Sequence, residues 1–405
     1  MTLAILSGRL VRTFWPYKTQ GRLCAGLVLL AMLALAGCSS TKDSTPDWAG
    51  VKGNTEPAAL FDFHQTAKFE IRWYAKVGES GANPQQPAVT NDAVYAVSGN
   101  GSLSRLDRST GKPVWNIQTG IVVSGGGVAG GEGLVLVGGD KGDVLAYGED
   151  GKLRWKSTVS SEVLNVSSVA DGVVMVRTGD GRIAGLNAAD GKRLWIYERT
   201  TPALVVRSHA GVAIQRGVAY AGFAGGKLAA INVKTGEVRW ENIVSQPTGN
   251  TELERISDVT SDPVVDDEQV CAASFQGRMA CFGIAQGGPL WNRDISSDKG
   301  IMMLRKFIYL TDSNGAVIAL DKTSGGTLWK NDQLFMRGVT TPYALGDFVV
   351  VGDDKGFLYG LNREDGSPAA RIQLDGGAIW TTPLDFDDGF LVQTSGGVLY
   401  SLSIR

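Results

Sequence analysis

From Phe69 onward, apolar and polar positions alternate with a period of two in short runs punctuated by Gly, Asn and Asp. A period of two predicts strands, and no segment beyond the first forty residues carries a helical period. Runs such as Ala93-Val-Tyr-Ala-Val97 and Val173-Val-Met-Val176 come after Asn91-Asp92 and Asp171-Gly172. Dipeptides of that kind supply the positive φ angles of tight hairpins at little steric cost. One phrase recurs: Gly, an apolar alternation, Asn or Asp, a Gly-containing turn, then Trp. It runs from Gly101 to Trp115, Gly142 to Trp155, Gly181 to Trp195, Gly226 to Trp240, Gly277 to Trp291 and Gly315 to Trp329. A seventh copy, Gly356 to Gly366, is expected to carry Arg371 in the Trp position, and an eighth starts at Gly396-Gly-Val-Leu-Tyr.

The eighth copy has no Trp of its own, and Phe69-Glu-Ile-Arg-Trp73 can supply it. Trp73 precedes Trp115 by 42 residues, and the 337 residues from Phe69 to Arg405 divide into eight units of about 42. A repeat of that length, four strands per unit and a terminal strand that completes the last unit together predict a closed ring. The expected fold is all-β: an eight-bladed β-propeller over 69–405, built of four-stranded antiparallel blades and closed by the N-terminal strand. The recurring Trp73, Trp115, Trp155, Trp195, Trp240, Trp291 and Trp329 are expected to dock each blade on the next, with the indole N–H given to a backbone carbonyl. A catalytic or sugar-stacking Trp would not recur at every blade.

The first 37 residues read as an export signal. Arg9, Arg12, Lys18 and Arg22 precede an apolar stretch, Leu23 to Leu35, that is too short to span a bilayer comfortably. It ends in Leu35-Ala36-Gly37-Cys38, which resembles a bacterial lipobox and implies acylation of Cys38. Ser39, where Asp would favour retention at the inner membrane, favours the outer one. Residues 38–68 are polar with Pro and Gly and read as a flexible tether in which Trp48 and the Phe61/Phe63 pair can dock locally. Losing the four signal cations takes the formal charge from −2 to −6.

Composition then narrows function. The 54 Gly suit a chain of many turns, and two His, His64 and His209, leave little for a zinc site. No basic block exists to engage a phosphate backbone, so nucleic acid is not an expected partner. Gly125-Gly-Gly-Val-Ala-Gly130 has the spacing of a dinucleotide loop, but Gly131-Glu-Gly-Leu-Val-Leu-Val137 continues it as a strand rather than a helix. There is no Gly-x-Ser-x-Gly elbow, and His209 reads as a loop or surface residue rather than a base. Asp266-Asp267-Glu268 and Asp353-Asp354 read as solvated turns rather than calcium ligands. Cys271 and Cys281 flank the Gln276-Gly277 turn. A disulfide is conceivable in an oxidising compartment, but cross-strand geometry is demanding, and the expected state is two free buried thiols.

The repeated phrase resembles the tryptophan-docking repeat of quinoprotein-type eight-bladed propellers. Two families share it: the quinoprotein alcohol and glucose dehydrogenases, which hold pyrroloquinoline quinone and calcium, and the BamB family of outer-membrane assembly factors. The enzymes are longer and carry adjacent cysteines and a carboxylate/amide cluster around calcium, none of which is evident in this sequence. A lipobox, a short tether and about 340 residues of repeats resemble the second family along the mature chain, as do Val163 to Ser168, Thr251 to Val259 and Gly352 to Tyr359. That resemblance implies a non-enzymatic scaffold with no cofactor, anchored to the periplasmic side of the outer membrane. Its implied partner is the POTRA region of the barrel-inserting subunit of the β-barrel assembly machinery, with unfolded outer-membrane proteins as a secondary one. It also implies two contact loops. The first maps to Leu204, Val206 and Arg207. The second maps to Asp258, whose companion position holds Thr260 in place of an acid. Without the resemblance, Leu204 and Val206 read equally as inward positions of a strand. Spacing points to the same place, because Trp195 to Trp240 spans 45 residues and Trp240 to Trp291 spans 51, against 38 to 42 for the other intervals.

Overall fold

A computed structural model describes residues 56–405, so the expected signal, Cys38 and Trp48 lie outside the described residues. Those that are described form 32 strands and no helix, arranged as eight four-stranded antiparallel sheets. Blade one, from the channel outward, is Ala88–Val89, Ala93–Val97, Ser102–Asp107 and Pro113–Gln118. Six more blades repeat that order, ending in the outer strand Pro368–Gln373 of blade seven. Blade eight is discontinuous. Leu384–Phe386, Gly389–Gln393 and Val398–Ile404 are completed by Phe69–Lys76, with Phe69 opposite Ile404 and Lys76 opposite Val398. The expected eight-bladed propeller with its N-terminal closing strand is what forms.

Burial explains the sequence pattern. The second and third strands of each blade are covered on both faces by neighbouring blades, and Ala93–Val97 is buried throughout. The outer strands are covered on one face only, and Pro113–Gln118 alternates half-buried with exposed positions. In such a meander the turns between second and third strands share one face of the ring with the crossings from blade to blade, and both long intervals fall in crossings on that face.

The Trp positions pack as a set. Trp115, Trp155, Trp195, Trp240, Trp291 and Trp329 each donate Nε1–H to a carbonyl of the following blade, at 2.8 to 3.1 Å. The ring lies on the Gly of that blade's outer turn. Gly191 has φ +70°, and a Cβ there would fall 2.5 Å from Cε3 of Trp155, so both backbone and neighbour demand Gly. Trp73 lies on Gly111 in the same way.

Blade seven corrects one expectation. Leu361 pairs with Pro368 and Gly360 with Ala370, the register in which Leu106 and Arg105 face Pro113 and Trp115. Ala370, not Arg371, holds the Trp position. An indole there would meet the ring's seam, where the docking turn of the next blade is replaced by Lys68 and Arg405, paired N–H to carbonyl in both directions. Ala67, Phe69 and Ile404 fill the space instead.

Residues of the expected tether cover that seam. The Ala58 N–H donates to the Phe335 carbonyl, Arg337 Nη1 donates to the Ala58 carbonyl at 2.8 Å, and the N–H groups of Thr66 and Ala67 donate to the Ala369 carbonyl. Arg371 lies over the rings of Phe61 and Phe63 and donates to the Phe61 carbonyl. From Ala58 the chain is therefore a strap on blade seven. Replacing both Phe61 and Phe63 with Ala removes two half-buried rings and should cost about 2 kcal/mol. The check is a lower unfolding midpoint together with new tryptic cleavage after Lys68; protection of Lys68 at an unchanged midpoint would show that the strap is idle.

Two further features differ from or refine the sequence reading. Cys271 lies directly opposite Cys281 in the register of blade five, with Cα atoms 4.1 Å apart, and the two form a disulfide rather than free thiols. The reason is the symmetric turn at 274–278, closed by the Ala273 and Met279 pair, which sets the two side chains on one face. The Gly-rich segment belongs to the inner strand Val123–Gly131 of blade two. It lets Gln86 approach from blade one: Gln86 N–H donates to the Gly126 carbonyl and Val128 N–H to the Gln86 carbonyl, where a Cβ on Gly127 would lie 2.2 Å from that oxygen. Close backbone approach, not phosphate, accounts for the glycines.

Candidate partner-binding site

The shortest blade crossings have four residues, 119–122 and 159–162. The crossing from blade three to four occupies 198–211, and that from four to five occupies 244–263. A long loop is a partner surface only if it is held in one shape, since ordering it on binding would cost affinity. Side chains from the two loops hold each other. Asp258, 3% exposed, accepts Val206 N–H at 2.7 Å and Gly225 N–H at 2.9 Å, tying both crossings to a turn of blade four. Ser208 Oγ donates to the Thr260 carbonyl at 2.5 Å, and Gly211 N–H donates to Asp262. Within the second loop Thr251 and Glu254 form a reciprocal capping box: Glu254 Oε2 accepts Asn250 and Thr251 N–H, and Thr251 Oγ1 accepts Glu254 N–H.

Stitched in this way, the loops present apolar side chains outward. Leu204 and Val205 are each 44% exposed and Leu253 is 52% exposed. Val206 is half-buried, its N–H spent on Asp258. The outward pair is thus Leu204 and Val205, where the sequence pointed to Leu204 and Val206. Asp258 and Thr260 are both buried, so neither is offered to solvent. The Asp258 carboxylate shapes the Leu204 turn from beneath.

Arg207 sits at the hub of three crossings. It forms an ion pair with Glu162 of the blade two to three crossing, Nη2 at 2.6 Å and Nε at 3.3 Å. Nη2 also donates to Asn83 Oδ1 at 3.1 Å, in the crossing from blade eight to one, and Nη1 lies 3.2 Å from His209 Nε2. The side chain remains 48% exposed, so its charge is oriented and available at the same time. His209 is half-buried with both ring nitrogens engaged, a loop residue as expected but not a solvated one.

Elsewhere the acidic turns prove structural. Asp266 accepts two backbone N–H groups of its own turn and pairs with Lys322 of the next blade. Asp353 is fully buried, which corrects its reading as solvated. Its carboxylate takes Arg337 Nε and Nη2, at 2.8 and 2.7 Å, and the Tyr359 hydroxyl. Among the described residues no group of three His, Cys, Asp or Glu is placed to hold a metal. A cleft of about 710 Å³ between the outer edges of blades four and five is lined by Ile243, Gln246, Phe282, Trp291 and the Arg278/Asp294 ion pair. That lining supplies no nucleophile paired with a base.

Asn83, Glu162, His209, Val205 and Leu253 were not singled out for the site by sequence. Only Leu253 carried a local signal, the Thr-x-x-Glu capping pattern beside it. Asn83, Glu162 and His209 are brought in by contacts 45 to 124 residues away in the chain.

Comparisons with known proteins converge on one family. A family model described as outer membrane protein assembly factor BamB matches residues 63–122, 117–331 and 313–405. The outer membrane protein assembly factor BamB of Nitrosomonas eutropha is 41% identical over 93% of this chain and 94% of its own length. The crystal structure of BamB from Moraxella catarrhalis superposes with a TM-score of 0.76 at 26% identity, covering 83% of this chain and 99% of that one. The quinohemoprotein alcohol dehydrogenase of Comamonas testosteroni superposes with a TM-score of 0.68, covering 82% of this chain and 76% of that one; at 12% identity that likeness shows the fold alone. The chain belongs to the family of the outer membrane protein assembly factor BamB.

Proposed function

We propose that this chain is a non-enzymatic scaffold of the outer-membrane β-barrel assembly machinery, acylated on Cys38 and held at the periplasmic face of the outer membrane. In this reading Leu204, Val206 and Arg207 form the contact with the POTRA region of the barrel-inserting subunit, joined by Val205 and Leu253 on the same loops. Asp258 serves that contact by holding the Leu204 turn. The observation that carries the reading is the pairing of two oversized crossings into one preorganised surface, apolar at Leu204, Val205 and Leu253 and cationic at an oriented Arg207. Arg is enriched at interface hot spots, and surrounding apolar contacts exclude water from them. The dehydrogenase alternative rests on likeness of fold, and among the described residues no group of three His, Cys, Asp or Glu is placed to hold a metal.

The double substitution Leu204→Asp with Arg207→Glu tests this reading. Both side chains are substantially exposed, so the thermal unfolding transition should move little. Co-purification of the barrel-inserting subunit from solubilised membranes should be lost. Retained co-purification would remove these residues from the interface, and failure of the native protein to capture the subunit would remove the function itself.

A further inference from the structure

His209 has its protonation state set by its two neighbours. A guanidinium carries only donors, so Nε2, 3.2 Å from Arg207 Nη1, must accept. A carbonyl can only accept, so Nδ1, 3.0 Å from the Leu164 oxygen, must donate. The ring is therefore the neutral Nδ1–H tautomer. Its backbone is held as well, because Asn165 Nδ2 donates to the His209 carbonyl at 3.1 Å. Both Leu164 and Asn165 lie on the inner strand Val163–Val166 of blade three, a rigid support for the ring.

From this geometry we infer that His209 is a positioning residue for Arg207 that works only while neutral, making partner capture sensitive to acid. The inference rests on the proposed role of Arg207 in that capture. A proton on Nε2 would remove the acceptor that Arg207 uses and set two cations 3.2 Å apart. Arg207 would keep Glu162 and Asn83 but lose the contact that fixes the orientation of Nη1.

The charged groups facing the ring are Arg207 and Glu162, with backbone groups of Leu164 and Ser124 beside it. Burial lowers the basicity of the imidazole, the Leu164 carbonyl opposes that, Arg207 adds to the lowering, and Glu162 and the Ser124 backbone offset it in part. The net shift is downward. The unfolded chain therefore takes up the proton first, and the arrangement loses stability as the pH falls below about 6.5, the ordinary imidazole value.

The test compares the affinity of the full-length protein for the barrel-inserting subunit at pH 7.5 and pH 5.0. For the native protein it should fall about five-fold at the lower pH, the equivalent of one hydrogen bond. His209→Gln places an amide oxygen near Nε2 that accepts without titrating, so it should keep the pH 7.5 affinity and flatten the pH profile. His209→Leu, with no acceptor, should bind more weakly at both pH values, again with a flat profile. The same acid loss in His209→Gln as in the native protein, or native affinity in His209→Leu, overturns the inference. If Arg207→Ala leaves binding intact, the partner site itself is wrong. Dependence on Arg207 with no response to His209 refutes the positioning role alone.

Discussion

Trp155→Ala is expected to destabilise the ring by about 3–5 kcal/mol, the usual range for removing a buried large aromatic. The indole is 7% exposed, lies on Gly191 and gives its N–H to the Ala188 carbonyl at 2.8 Å. Truncation would leave a cavity between blades two and three and a buried carbonyl without its donor. Trp155→Phe should cost less, because a ring remains in the gap while the hydrogen bond is lost. Gly191→Ala attacks the same contact from the other side: it forces an L-residue to φ +70° and drives a Cβ into the indole. Denaturant unfolding measures all three. An unfolding free energy for Trp155→Ala within about 0.5 kcal/mol of native, the range of an ordinary surface change, would show that the indole merely fills space. Because the contact lies at the outer turns, on the face opposite the long crossings, folded Trp155→Ala protein should still capture the barrel-inserting subunit.

The same residues show what was legible in the sequence. A side chain that recurs once per blade can be counted, and the count of Trp and Gly leads to eight blades, their order and the closing role of Phe69–Lys76. Counting also holds the correction at blade seven. Four residues past the turn glycine is Trp115 after Gly111 and Ala370 after Gly366, so Arg371 lies one residue beyond the repeat position. The Cys271 and Cys281 pairing was open because a turn of uncertain length leaves register undecided by one residue, and one residue moves a side chain to the opposite face. Buried acids were the least legible. Asp353 and Asp354 are adjacent, yet the first is fully buried against Arg337 and Tyr359 while the second is exposed. Asp353 Oδ1 accepts the Lys355 and Phe357 N–H groups of its own turn, while its other oxygen is covered by Arg337, sixteen residues away, arriving from a blade crossing. The site obeys the same rule. The excess length of two neighbouring repeats pointed to the candidate loops, but which side chains face outward depended on where the Val206 N–H finds its acceptor.

That acceptor makes Asp258→Ala the second large expected effect. A loop acid in a partner-binding region is easily taken for a direct contact, but at 3% exposure this carboxylate has no surface to offer. Its removal would leave the Val206 and Gly225 N–H groups without their charged acceptor, each such bond being worth about 1.5–3 kcal/mol. The cost should fall on the two crossings rather than on the blades, because Val206 and Gly225 join loop and turn and belong to no blade strand. Hydrogen exchange at these two amides should accelerate by more than about ten-fold while the strand amides of blades three and four stay protected. Capture of the barrel-inserting subunit should weaken as much as with Leu204→Asp, since a freed turn must be reordered before it can bind. The two mechanisms then part on a single comparison. If Asp258 acted by direct contact, Asp258→Ala would weaken binding with Val206 still slow to exchange. If it acts by holding the turn, fast exchange at Val206 and loss of binding must appear together, with Leu204→Asp showing the loss of binding alone.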